Sequence, residues 1–348
     1  MSRAPEKPQR RRLQGVTIAD VAARAGVSIM TVSRVINGEG RVSEDTRTRI
    51  NAIIRELNYA PSPAARGLAS AGVTRIGLLY TNPSGAYLSE FLIGVMDEIS
   101  RTGDHLLLHR CDSPEAIEAA VARLVEEGVD GVVLPPPLCD SEQALALLGR
   151  VGKPVVAVAT AREDEGVLAV RLDDYAAARA MTEHLLGLGH RRIAFVTGDA
   201  SQLAAQRRLA GFRDALSAGG LEPHAVAQGD YSYRSGIDAA IALLDAPERP
   251  TAIFASNDDM ASAAMSIAHR RGLDVPGDLS IVGFDDSLLA TTSWPELTTI
   301  HQPIGEMARV AIELLLRHVR ARRVGGEPGP VGVQADFRLV VRESSAAV

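Results

Sequence analysis

The chain has 348 residues, 46% of them hydrophobic, and a formal net charge of −6 at pH 7. That length carries two or three domains with a large core. The absence of any run of about twenty uncharged apolar residues excludes a membrane span, and two cysteines, Cys111 and Cys139, exclude a disulfide framework or a Cys/His zinc module.

The charge is unevenly spread. Residues 1–72 hold twelve Lys/Arg against six Asp/Glu, and the remainder twenty-five against thirty-seven. A basic head on an acidic body marks a nucleic-acid contact surface. Residues 1–14, with Pro5, Pro8 and the run Arg10-Arg-Arg12, read as a disordered basic arm that adds non-specific phosphate attraction. No apolar segment with a small-residue cleavage site follows it, so a cytoplasmic location is expected.

From Thr17 the pattern is that of two short helices hinged on a glycine. Ile18, Val21, Ala22 and Ala25 form one apolar stripe, with Thr17 placed to cap and Asp20 three residues on. Gly26 ends the helix, Val27 plugs the turn and Ser28 caps a second helix. Val32, Val35 and Ile36 of that helix face inward, which leaves Ile29, Met30, Ser33, Arg34 and Asn37 outward. A helix so exposed fits a major groove, making the pair a helix-turn-helix. Ser43 starts a third helix with Ile50, Ile53, Ile54 and Leu57 on its apolar face. Ser62-Pro63 then begins a short helix to about residue 70 that is too short to persist alone.

Beyond Arg75, β runs alternate with helical periods. Strands are expected at 76–80, 106–109, 131–134, 155–158, 193–197, 252–255 and 281–284. Helices fall near 88–101, 114–127, 141–150, 174–188, 203–218, 233–244, 258–271 and 305–321. Alternation of this kind predicts an α/β core of parallel sheets covered by helices. The strand count favours two lobes, with crossings near Arg171–Asp174 and Thr299–Pro303.

Ligands of such sheets sit at the carboxyl ends of the strands. Those ends carry Tyr80, Thr81 and Asn82, then Pro135–Pro137, Asn257-Asp258 and Asp285-Asp286, with Arg208 within reach. Carboxylates, an arginine fork and an amide together suit a hydroxyl-rich ligand. An Asp at a strand end also caps helices, which is the competing role for Asp258, Asp259 and Asp286. No Gly-x-Gly-x-x-Gly after a strand, Gly-x-Ser-x-Gly or His-Glu-x-x-His occurs, so an enzyme is not expected.

With these residues in hand, the chain resembles the LacI/GalR family of bacterial transcriptional repressors over nearly its whole length. The resemblance is carried first by Ile18-Ala-Asp-Val-Ala-Ala-Arg-Ala-Gly-Val-Ser28, Thr31-Val-Ser-Arg-Val-Ile-Asn37 and Leu57-Asn-Tyr-Ala-Pro61. In the body it rests on Gly187-Leu-Gly-His-Arg-Arg-Ile-Ala-Phe195, Arg208-Leu-Ala-Gly-Phe212, Ser256-Asn-Asp-Asp-Met260, Ile281-Val-Gly-Phe-Asp-Asp286 and Leu297-Thr-Thr-Ile-His-Gln-Pro303. It implies a two-lobed core like that of periplasmic binding proteins behind an all-α headpiece. The divisions are a headpiece over 15–60 and a hinge helix over 61–72, a first lobe from 73–171 with 302–330, and a second from 172–301 with 331–343.

What the resemblance implies further is a homodimer that places each second helix in a major groove of a near-palindromic operator. Ile29 and Met30 take the places that vary with operator sequence, and Arg34 a base- or phosphate-contacting place. Thr17, Ser28, Thr31, Ser33 and Asn37 read as phosphate and capping groups. Leu68 of the hinge helix would wedge into the minor groove.

Arg208, Asn257, Asp285 and Gln302 fall on positions like the family's ligand-binding places, with Tyr231 where an aromatic stacks on a sugar. Tyr80 and Asn82 join them from the strand-end reading. Ala159 stands where many sugar-responsive members carry a polar residue. The implied function is therefore sequence-specific repression controlled by a small ligand, a sugar or glycoside, without cofactor or metal. The competing class is a free-standing binding protein of the periplasmic kind, which would need an export signal and no helix-turn-helix.

Overall fold

The computed structural model describes residues 17–37, 42–57, 73–162, 166–325, 329 and 331–348. These fall into two compact units divided at Val73. The expected basic arm, the hinge helix and its Leu68 lie outside the described residues.

The first unit holds α1 (Ile18–Ala25), α2 (Ile29–Asn37) and α3 (Glu44–Glu56). Gly26 adopts φ 64°, a left-handed turn that costs glycine nothing, and this ends α1. Val21, Ala22 and Ala25 then meet Val32, Val35, Ile50 and Ile53 in one small core, with Ile18, Val27 and Leu57 packed around it. Arg24 of α1 pairs with Glu56 of α3 at the surface.

The second unit is built on two parallel sheets. The first has the order β2-β1-β3-β4-β5-β11, formed by β1 (Arg75–Tyr80), β2 (His105–Arg110), β3 (Gly131–Leu134), β4 (Val155–Val158), β5 (Leu168–Leu172) and β11 (Gly332–Ala335). The second has the order β7-β6-β8-β9, with β6 (Ile193–Val196), β7 (Ala225–Ala227), β8 (Ala252–Ala255) and β9 (Ser280–Val282). A separate antiparallel pair joins β10 (Thr299–His301) to β12 (Arg338–Val340).

Between them run α4 (Gly85–Thr102), α5 (Pro114–Glu126), α6 (Glu142–Val151), α7 (Asp174–Gly187), α8 (Leu203–Ala218), α9 (Tyr233–Leu244), α10 (Asp258–Arg270), α11 (Leu288–Thr292) and α12 (Ile304–Val324). Central strands β3, β4, β6 and β8 are buried along their whole length. This is why they read as unbroken apolar runs rather than alternating ones. One apolar cluster passes from the first sheet through α12 and α7 to Phe195, Phe212 and Phe254 of the second lobe, so the lobes share a core.

The carboxyl-terminal segment departs from the expected division. Residues 331–343 were assigned to the second lobe, but β11 pairs in parallel with β5, Val333 opposite Val170, and edges the first sheet. The physical reason is α12, which packs beside β3, β4 and β5 and delivers the chain to the open edge of β5. Only after Ala335 does the chain return, to pair β12 with β10. That makes a third crossing besides those near 171–174 and 299–303.

Candidate functional site

In the first unit, Thr17 and Asp20 form a reciprocal cap. The Thr17 amide and hydroxyl both donate to Asp20 Oδ2 at 2.7 Å, and the Asp20 amide donates to Thr17 Oγ1. Those bonds hold the Asp20 carboxyl below its usual value. Ser28 Oγ accepts the Thr31 amide at 3.2 Å and lies 2.9 Å from the Thr31 hydroxyl, fixing the start of α2.

With Val32 and Val35 turned inward, α2 presents Ile29 at 51% and Met30 at 64% exposure, beside the exposed Arg34. Large apolar side chains are left in water only where another surface covers them or the fold has no use for them. Ser33 is half-buried. Asn37 closes α2, but its side chain lies outside the described ones.

In the second unit, a crevice enclosing about 560 Å³ of atom-free space opens between the lobes at the carboxyl ends of both sheets. That is within the range of small-molecule sites. The first lobe contributes Thr81, Pro83, Ser84, Tyr87 and Leu88 from the β1–α4 connection, Pro135 and Pro136 after β3, and Ala159 after β4. Arg208 of α8, Tyr231 after β7, Asn257 after β8, Asp285 after β9 and Gln302 after β10 face them. Five residues expected of the ligand site are thus brought together.

Tyr80 and Asn82 are not among the lining residues. Tyr80 packs against the shared core and Asn82 is exposed. The reason is the two-residue alternation of extended chain: Thr81 and Pro83 face the crevice, so their neighbours point away.

Arg208 is the hub. Its Nε donates to Asp174 Oδ1 at 2.8 Å, its Nη1 to the Ser256 carbonyl and its Nη2 to Gln302 Oε1 at 3.4 Å, and its guanidinium lies 3.5 Å from the Phe284 ring centroid. Burial opposes its charge, but Asp174, Tyr231 and Asp285 outweigh that and raise its pKa above the ordinary value. Burial likewise raises the Asp174 carboxyl, with Arg208 opposing.

Asp285 sits at φ 113° and makes no side-chain hydrogen bond among the described residues. Burial pushes its carboxyl well up, Arg208 opposes this, and Asp258, Asp259 and Asp174 push the same way as burial. Three more polar atoms at the crevice are buried and unpartnered: Tyr87 Oη, Tyr231 Oη and Gln302 Nε2. Buried polar atoms are normally paired, so a cluster of orphans at one cavity is a cradle shaped for something that pairs them.

Tyr231 is held in a left-handed conformation at φ 71°, its carbonyl accepting from Asn257 Nδ2 at 2.9 Å, with its ring against Gly198. A Cβ at residue 198 would lie 2.0 Å from that ring, so Gly198→Ala displaces the phenol. A lost aromatic contact of about 1.4 kcal/mol corresponds to a tenfold fall in effector affinity. Titration of the variant measures it, and wild-type affinity would remove Tyr231 from the binding surface.

The remaining acids hold the frame. Asn257, rather than an aspartate, caps α10 by accepting the Met260 amide at 3.0 Å. Asp258 accepts the Ser287 amide at 2.8 Å and the Thr299 hydroxyl at 2.7 Å; burial pushes its carboxyl up to about 7 against those bonds. Asp286 takes His301 and Arg342.

Two bonds tie lobe to lobe. Ser84, the cap of α4, donates its hydroxyl to Asp259 Oδ2 at 2.7 Å. Asp140 of the first lobe accepts the Leu203 amide of α8 at 2.9 Å, where the local cap residue Gln202 supplies no side-chain bond. Tyr87 is the residue sequence reasoning missed. Its signal was its place three residues beyond the capping Ser84, on the first turn after β1.

The amino-terminal segment matches the family model described as bacterial regulatory proteins, lacI family, over residues 17–62, and the core matches a periplasmic binding protein-like domain over 182–345. Catabolite control protein A of Priestia megaterium is 34% identical over 334 residues, 95% of this chain and 99% of that protein. The lac repressor dimer bound to operator and the anti-inducer ONPF superposes with a TM-score of 0.81 at 30% identity, covering 96% of this chain and 100% of the other. The complex of the transcriptional regulator CelR with cellobiose gives 0.71 at 32%, covering 95% and 100%. A helix-turn-helix with an exposed second helix, ahead of a two-lobed core with an unfilled polar cradle, is what these relatives share. The chain belongs to the lacI family of bacterial transcriptional regulators, DNA-binding and non-enzymatic, with an effector-binding core.

Proposed function

We propose that the chain is a cytoplasmic repressor acting as a homodimer on a near-palindromic operator, and that a sugar or glycoside in the crevice controls its grip. The observation that carries the ligand class is the orphan set: Tyr87 Oη, Tyr231 Oη and Gln302 Nε2 beside the unpaired Asp285 carboxyl. Two hydroxyl groups, an amide donor and an acceptor suit vicinal hydroxyls, and the tyrosine rings offer apolar faces for a sugar ring. The cellobiose bound to CelR supports the same class.

In this reading Arg208, Asn257, Asp285 and Gln302 hold the ligand. Arg34 meets base edges or phosphate, Ile29 and Met30 meet thymine methyls, and Thr17, Ser28, Thr31, Ser33 and Asn37 set the register on phosphates. Leu68 wedges the minor groove. Dimerisation covers apolar surface now in water, notably Ile93 and Met96 of α4 and Leu108 of β2, each about half exposed or more.

The experiment is selection of bound genomic fragments by the full chain against random competitor, followed by footprinting with and without a panel of sugars. The expected result is a small set of near-palindromic sites whose occupancy changes with one sugar. Equal binding to all fragments would refute the proposal, and indifference to every sugar would refute its ligand half.

A further inference from the structure

The crevice contains one cation, and that cation is already engaged. Arg208 is the sole Lys or Arg among the described lining residues, and Asp174, the Ser256 carbonyl and Gln302 take its donors while Phe284 covers its face. The acids acting on Asp285 are Asp174, Asp258 and Asp259, so four carboxyls surround one guanidinium. The opposite wall is apolar, formed by Pro83, Leu88, Pro135, Pro136 and Ala159.

Helix amino termini, the other common anchor for anions, are also closed. Ser84 accepts the Tyr87 amide of α4, Asn257 accepts the Met260 amide of α10, and Asp140 reaches across to the Leu203 amide of α8. Neither a side chain nor a backbone nest is left to receive a phosphate.

We propose that the crevice selects an uncharged ligand and rejects its phosphorylated counterpart, so that the effector is an unphosphorylated sugar or glycoside. This rests on the sugar reading given above. A phosphate brings close to two negative charges. It would have to take Arg208 from Asp174, leaving that buried carboxylate unpaired. A hydroxyl edge instead donates to Asp285 and accepts from Gln302 Nε2, satisfying groups now unpaired without disturbing the ion pair.

The test is titration calorimetry of the full chain with matched pairs: ribose, glucose, mannose, trehalose and cellobiose, each beside its terminal monophosphate. The expected result is binding by at least one free sugar, with its phosphate weaker by about 100-fold or more, since like charges across an interface cost several kcal/mol. A phosphate that binds as tightly as its parent overturns the charge selection and leaves a sugar effector standing. Silence from both members of every pair refutes the sugar reading and this inference with it.

Asp285→Asn provides the second arm, because Asn also tolerates the positive φ of that position. Removing one carboxyl should narrow the discrimination against phosphate by about tenfold, equal to 1.4 kcal/mol, at an unchanged melting temperature. An unchanged ratio would overturn the assignment to the excess of acids.

Discussion

Replacing Arg208 by alanine abolishes the effector response and lowers the unfolding free energy of the core by about 3–5 kcal/mol, the usual cost of stripping one partner from a buried ion pair. Asp174, 3% exposed, would lose its only cation, and Asp285 the one charge that favours its ionisation. At about 2–4 °C per kcal/mol for a domain of this size, the melting temperature should fall by about 10 °C. The lost charged hydrogen bonds should weaken effector binding by about 100-fold or more.

A single variant would confound the two effects, so Arg208→Leu combined with Asp174→Leu is the companion. Replacing a buried pair by apolar residues of similar volume is often neutral, which should restore the melting temperature while the response stays absent. Scanning calorimetry and sugar titration read the two separately. A single variant that melts and titrates like the wild type would show that Arg208 is neither hub nor ligand contact.

Operator affinity should fall by about a thousandfold or more between 50 and 200 mM salt, as expected for six or more phosphate contacts made by a dimer. The source is the excess of twelve Lys/Arg over six Asp/Glu in residues 1–72, against an acidic remainder. Removal of residues 1–73, which form a unit of their own, should abolish the DNA affinity and its salt dependence together. Filter binding over a salt series measures the slope. A flat response would mean that the basic head does not neutralise phosphates.

How much was legible in the sequence depended on how each segment is buried. Val155–Val158 and Ala252–Ala255 were readable to the residue because strands covered on both faces leave an unbroken apolar run. The strands Ala225–Ala227 and Gly332–Ala335 are edge strands, short and half-exposed, with alanine and glycine in place of β-branched residues, and nothing local marks them. Leu168–Leu172 was obscured by the charged Arg171, whose guanidinium turns aside to the Arg162 carbonyl.

The same contrast runs through the crevice. Arg208, Tyr231, Asn257, Asp285 and Gln302 were found because they follow strands or lie in recognisable runs. Tyr80 and Asn82 failed because facing alternates along extended chain, and the sequence does not state its phase. Tyr87 was lost inside a helix, where an apolar face and a ligand face look alike.

The bond from Asp140 to the first amide of α8 has a consequence for motion. A helix whose acceptor belongs to the opposite lobe frays when the lobes separate, and a forfeited cap costs about 1 kcal/mol. The resting arrangement is thereby biased by a contact remote from any hydroxyl the effector presents, and a ligand that prefers the parted form must first overcome that bias.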